Sequence, residues 1–183
     1  MTQEPLTQEQ IRNFVLPAHG NLAVVQQMLA AEPRLLNEKY VEFDETALEA
    51  ASHVGNRPIA EFLLAQGAPM NLYTAAMLGL TDEVAAFLDA DPALVNGNGV
   101  HGISLLFHAA LSGNVALAEM LVARGNRQNP DQPLLAAVMY GRFQMAQWLL
   151  AHGADKSATN FRDQTALDIA QQNEDQALID LLS

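Results

Sequence analysis

The sequence predicts an all-α solenoid of stacked helix–turn–helix units. Three observations point there. An apolar second-helix segment recurs along the chain at Gly20–Leu29, Gly55–Leu64, Gly79–Leu88, Gly113–Val122 and Gly141–Leu150, with a degenerate sixth at Glu174–Ser183. Hydroxyl residues stand just ahead of the apolar runs that precede three of these segments, at Thr46, Ser104 and Thr165. The turn glycines, at 20, 55, 79, 113 and 141, are separated by alternating long and short intervals of 35, 24, 34 and 28 residues. One such unit cannot bury its apolar face alone, so it must stack on neighbours.

Taken in order, the first unit opens with a capping box, Thr7 and Gln10, ahead of a hydrophobic helix that ends before Pro17. Its second helix closes with Ala31-Glu-Pro-Arg-Leu-Leu-Asn37, an ending shared by the third unit at Ala90-Asp-Pro-Ala-Leu-Val-Asn96. In the second unit Thr46 can cap the run Ala47–Ala51, and small alanines let neighbouring helices approach closely. Its second helix presents Ile59, Ala60, Phe62, Leu63 and Leu64; the fifth unit's presents Met145, Ala146, Trp148, Leu149 and Leu150. These are broad apolar stripes at helical spacing. A long glycine interval has room for two helices and a projecting hairpin finger, whereas a short one must turn directly into the next pair. Fingers are therefore expected only near residues 38–45, 96–103 and 155–164. The units run roughly 7–37, 38–70, 71–96, 97–129, 130–158 and 159–183, in a single domain.

Bulk composition narrows the function classes. Half of the 183 residues are hydrophobic, and no apolar run approaches the roughly 18 residues of a membrane span. The start, Met1-Thr-Gln-Glu-Pro5, is polar and acidic, unlike a secretory signal. With no cysteine, disulfides, thiolate zinc sites and cysteine nucleophiles are excluded. A cytoplasmic protein, monomeric when alone, is the simplest expectation. The net charge of −12 opposes binding to nucleic acid and anionic membrane. Residues 1–91 hold thirteen acids and four bases, residues 92–183 eight and five. The charge serves solubility, and it also suits a partner with a basic patch.

At Gly153-Ala-Asp-Lys-Ser-Ala-Thr-Asn-Phe-Arg-Asp-Gln-Thr-Ala-Leu-Asp-Ile-Ala170 the chain resembles an ankyrin-repeat protein, matching that family's Gly-Ala-Asp, β-turn and Thr-Pro-Leu-His-x-Ala signatures in one run. Gly67-Ala68 and Gly125 take the equivalent place elsewhere, and the resemblance covers about Pro17 to Ser183. The Thr-Pro-Leu-His element is nowhere intact; its His position holds Glu49, Phe107 and Asp168. The resemblance implies a curved solenoid with fingers along one edge, and protein binding through the fingertips and inner helices.

Candidate chemistry is sparse. Gly97-Asn-Gly-Val-His-Gly102 has the spacing of a dinucleotide loop, and Glu119 lies seventeen residues beyond. That motif requires a preceding strand, and the upstream segment is a helix end followed by Pro92, so the glycines are read as a finger turn. No histidine pair stands at i, i+4, and no His-Glu-x-x-His occurs, so the spacing gives no support for a helical metal site. His19 and His53 do fall near the ends of successive first helices, where folding can bring them close. His108 reads as an inter-repeat hydrogen-bonding residue and His152 as an exposed helix end. No serine lies in a nucleophile elbow. No cofactor is expected.

Two features qualify as partner-binding surfaces. The first is the inner ends of the first helices: His53, Met77, Leu78, Leu111, Met139 and Tyr140, whose apolar character suits a partner's apolar surface. The second is the fingers: Tyr40, Glu42, Phe43 and Glu45 in the first, His101 in the second, Phe161 and Arg162 in the third. The expected function is non-catalytic protein binding, as adaptor, inhibitor, immunity protein or stabilising subunit. The alternatives are a nucleotide-dependent enzyme using Gly97–Gly102 and a self-associating structural protein.

Overall fold

Six helix pairs fill the chain in the computed structural model, which describes residues 4–183. The pairs are α1 (Gln8–Val15) with α2 (Leu22–Ala31), α3 (Ala47–His53) with α4 (Arg57–Ala65), and α5 (Leu72–Leu78) with α6 (Thr81–Ala90). They continue with α7 (Leu105–Ser112) and α8 (Val115–Ala123), α9 (Asp131–Met139) and α10 (Phe143–Ala151), and α11 (Ala166–Gln172) and α12 (Gln176–Leu182). The only paired strands among the described residues are β1 (Lys39–Tyr40) and β2 (Glu45–Thr46), antiparallel with Tyr40 opposite Glu45. Single bridges, Asn98 to Ser104 and Thr159 to Thr165, close the other two fingers. Fingers occur where the glycine intervals place them.

Hydroxyl caps fix where the first helices begin. Thr7, Thr46 and Thr165 each accept from the backbone N–H three residues on, while Gln10, Glu49 and Asp168 reach back to the cap's own N–H. Glu49 and Asp168 stand where the resembled family places histidine, so the departure from its signature completes a capping box. Ser104 caps α7 by accepting from Phe107 N–H.

Four of the five turn glycines adopt a left-handed backbone, with φ between 64° and 75° at Gly55, Gly79, Gly113 and Gly141. Gly20 does not: its φ is −174°, because the first helix of the first unit runs on into the 3-10 turn Leu16–His19, with Pro17 near its start. Neighbouring units then satisfy the free carbonyls at the inner turns. Arg57 donates to Leu78 O, Asn114 to Gly79 O, Arg142 to Leu111 O and Asn173 to Met139 O.

The core runs the length of the stack, from Ile11, Phe14 and Val15 to Leu178 and Leu182. Tyr73 of the third unit, which has no finger, lies under the second finger. A Cβ at Gly99 would sit 3.1 Å from its ring, and one at Gly97 would sit 2.9 Å from its hydroxyl and 3.0 Å from Leu94 O. The segment before this glycine-rich loop is the 3-10 turn Pro92–Asn96. The glycines thus permit close approach of backbone to an aromatic ring.

Candidate functional site

The inner ends of the first helices divide into buried and exposed residues. Met77, Leu78 and Leu111 are buried, Met77 at 2% exposure. They were expected to face a partner, and the packing corrects this for all three. All three pack into the hydrophobic core that the stacked helices share. Tyr140, at the end of α9, reaches back past the fourth and third units, donates its hydroxyl to Val54 O, and packs against Gly55 beside Leu111. Met139 stays 47% exposed and Tyr140 38%.

These residues border a groove of about 780 Å³ between the second and third fingers and helices α7 and α9. Its walls include Ile103, Phe107, Pro133, Leu135, Met139 and Phe161, with Asn98, Gln128, Asp131 and Asn160 at the polar positions. His53 and Val54 close one end. Phe161, on the third finger, is 87% exposed, and Arg162 lies over its ring at 5.1 Å. The groove's Gln128 and Pro133 were not singled out by sequence, and Phe107 only as the residue at the resembled family's His position.

The first finger is a different kind of site. Tyr40 is buried and hydrogen-bonds Glu42, and Phe43 stacks edge-on against it at 5.3 Å while staying partly exposed. Glu42 is exposed. Glu45, which like Tyr40 the sequence places among the partner-binding finger residues, is instead wholly buried, at 0% exposure. It faces inward because β-pairing places it opposite Tyr40, with Thr46 after it committed to capping α3.

Three imidazoles surround that carboxylate. His53 Nε2 and His101 Nε2 each lie 3.1 Å from Glu45 Oε2, and His19 Nε2 lies 3.5 Å from Oε1. His19 Nε2 and His53 Nε2 are 3.2 Å apart. Glu45 Oε1 is buried with no hydrogen-bond partner. Burial pushes the carboxyl's pKa up, but the hydrogen bonds from His53 and His101 and the adjacent imidazoles outweigh it, leaving the group below the ordinary carboxylate range. His19, Glu45 and His53 present ligand atoms within 4.8 Å of one another, the one such set among the described residues. The fold therefore gathers His19, the pair Glu45 and His53, and His101 from three separate stretches of the chain that share no ligand motif. The proximity of His19 and His53 was the one part of this cluster that sequence suggested.

The other histidines act locally. His108 is buried; its Nδ1–H donates to Ser104 O in its own helix, at 2.8 Å, so the expected inter-repeat hydrogen bond is replaced by an inter-repeat ring contact with Tyr73, 5.2 Å away. Burial lowers its pKa to about 4. His152 is exposed and stacks on Trp148 at 3.8 Å.

Stacked helix pairs with hairpin fingers define a repeat solenoid, a class whose members present an extended inner surface. The chain belongs to the ankyrin-repeat family: that family's model, ankyrin repeats in three copies, matches residues 15–160 and 106–183. Ankyrin repeats typically bind other proteins and are typically non-catalytic. No curated protein matches the chain. No helix among the described residues is long and apolar enough to cross a membrane.

Proposed function

We propose that this chain is a non-catalytic protein-binding module that holds an apolar segment of its partner in the groove between the second and third fingers. The observation that carries the reading is the gathering of Met139, Tyr140 and Phe161, three of the chain's exposed large hydrophobic residues, around one concave apolar site. Large exposed apolar residues with polar neighbours are characteristic of interface centres. The net charge of −12 favours a partner whose apolar segment is flanked by basic residues. Glu42 on the first finger and Asp131 at the groove would steer such a partner. In this reading the protein is cytoplasmic and monomeric until it meets its partner, and NAD and ATP do not bind.

The test needs a partner, obtained by capture from native extract and identified by mass spectrometry, and then kinetic comparison of folded variants. Met139→Asp introduces a charge into the desolvated centre and should weaken binding by at least about 2 kcal/mol, roughly 30-fold, mainly through faster dissociation. Phe161→Ala should weaken it in the same way. Both variants should keep the wild-type circular dichroism, since both side chains are exposed. Normal binding by these variants, with loss of binding on substituting Gln144 and Gln147 of α10, would place the partner on the convex back and defeat the reading.

A further inference from the structure

We propose that His19, Glu45 and His53 form a binding site for one late first-row divalent metal ion of the Zn²⁺ class, with His101 as the residue that positions the carboxylate. The site is independent of the groove: it lies on the first finger and the first two units, although His53 also touches the groove's end.

The spacing is that of ligands around a small ion. Zinc–nitrogen and zinc–carboxylate bonds are about 2.0–2.2 Å, so neighbouring ligand atoms in a tetrahedral site stand about 3.3 Å apart. The three contacts here are 3.2 Å from His19 Nε2 to His53 Nε2, 3.1 Å from His53 Nε2 to Glu45 Oε2, and 3.5 Å from His19 Nε2 to Glu45 Oε1. Imidazole and carboxylate together suit zinc, nickel and iron better than magnesium or calcium, which prefer all-oxygen shells.

Proton bookkeeping gives the second, independent argument. His19 Nδ1–H donates to Leu16 O at 3.0 Å, which leaves Nε2 as the lone-pair nitrogen of the neutral ring. That lone pair faces Glu45 Oε1, itself buried and without a donor. It also faces His53 Nε2, whose single hydrogen can serve either Glu45 or His19 but not both. Two acceptors pointed at each other inside a protein repel, and a wholly buried carboxylate oxygen without a donor is costly. A divalent cation between them would satisfy both lone pairs at once. The bond from His19 to Leu16 O is also the kind of outer contact that fixes the tautomer and orientation of a metal-bound imidazole.

His101 holds the carboxylate from the other side. Its backbone is left-handed, φ 57°, one residue ahead of Gly102, which takes the place that Asp44 and Asp163 hold in the other fingers. The third unit has no finger, so the second finger lies against the first: His101 meets Phe43 at 6.2 Å and His53 at 5.0 Å, ring to ring. Nε2 of His101 thereby reaches Glu45 Oε2. A metal here would clip the first unit's 3-10 turn, the first finger and α3 together, with the second finger as a brace.

The test uses the full chain without a histidine tag, stripped with a chelator and titrated with Zn²⁺ by calorimetry, with Co²⁺ as a spectroscopic substitute. One ion should bind per chain, raise the thermal midpoint, and give with cobalt the intense visible bands of a four-coordinate ion. Glu45→Gln and His53→Gln should lose at least 100-fold in affinity, and His101→Gln, as an outer partner, about 10–100-fold. His152→Gln, at a remote exposed site, should be indistinguishable from wild type. Should Glu45→Gln fold poorly, His19→Gln decides, because that side chain is partly exposed and its loss spares the core. A stripped chain that loses helix and regains it on one equivalent of Zn²⁺ also supports the site. The proposal is overturned if Zn²⁺ does not saturate at one equivalent, or if binding survives in the folded His19 and His53 variants.

Discussion

His108 is where one residue's chemistry sets a property of the whole chain. Its ring is buried between Tyr73 and the α7 backbone, its only hydrogen bond is to Ser104 O, and its pKa falls from 6.5 to about 4. The unfolded chain takes up the proton first as pH falls. The stability linked to this residue is therefore complete above about pH 6.5 and disappears as pH drops towards 4, an effect of roughly 3 kcal/mol. Urea unfolding across that range should show the decline in wild type, and His108→Gln, which keeps a donor for Ser104 O but does not titrate, should flatten it by about one proton. Burial also separates two methionines that look alike in sequence. Met77→Asp puts a charge in the core and should unfold the chain or cost several kcal/mol, whereas Met139→Asp should leave thermal stability nearly unchanged. Similar melting curves for the two would contradict the packing of the inner face.

At the scale of elements, the fingers and turns carry the specific geometry. Gly97 meets both the Tyr73 hydroxyl and Leu94 O, while Gly99 meets only the Tyr73 ring. Gly97→Ala should therefore destabilise more than Gly99→Ala, because a backbone carbonyl yields less than a side chain. Equal effects in thermal melts would count against this seating of the finger. Gly55→Ala should cost about 1–2 kcal/mol from its left-handed φ of 69° alone, with more added by the Tyr140 and Leu111 contacts, 3.1 and 3.2 Å from its Cβ position. At Glu42, exposed on the first finger, reversal to Lys should slow association with a basic partner and lower its salt dependence. The same change at Glu45 is no test of steering, since that side chain is buried.

Across the whole molecule, stability depends on the stack being closed at its ends. Leu178 and Leu182 of α12 are buried against the preceding pair, with Ile179 and Leu181 partly so. Each fully buried leucine is worth roughly 1.5–3 kcal/mol, and their loss also bares α10 and α11. Truncation after Gln172 should thus lower both the thermal midpoint and solubility, out of proportion to the eleven residues removed. An unchanged midpoint would mean that the sixth unit is not part of a continuous core.

The sequence by itself determined the architecture. Helix pairs, caps and fingers depend on contacts within about thirty-five residues, and such contacts leave periodic traces: a threonine three residues ahead of a glutamate, a glycine at five of the six inner turns, a long or short interval for each finger present or lost. It also marked Met139, Tyr140, Phe161 and the nearness of His19 to His53. Only the tertiary structure decided which inner residues are open: Met77, Leu78 and Leu111 are taken into the core, while Tyr140 reaches Val54 eighty-six residues away. Only the tertiary structure brought Glu45 under His53 and His101, fifty-six residues separating the carboxylate from the latter. No periodicity encodes such a meeting. It follows from the missing finger of the third unit and the direction in which one strand residue points, and those are settled by how the units close upon each other.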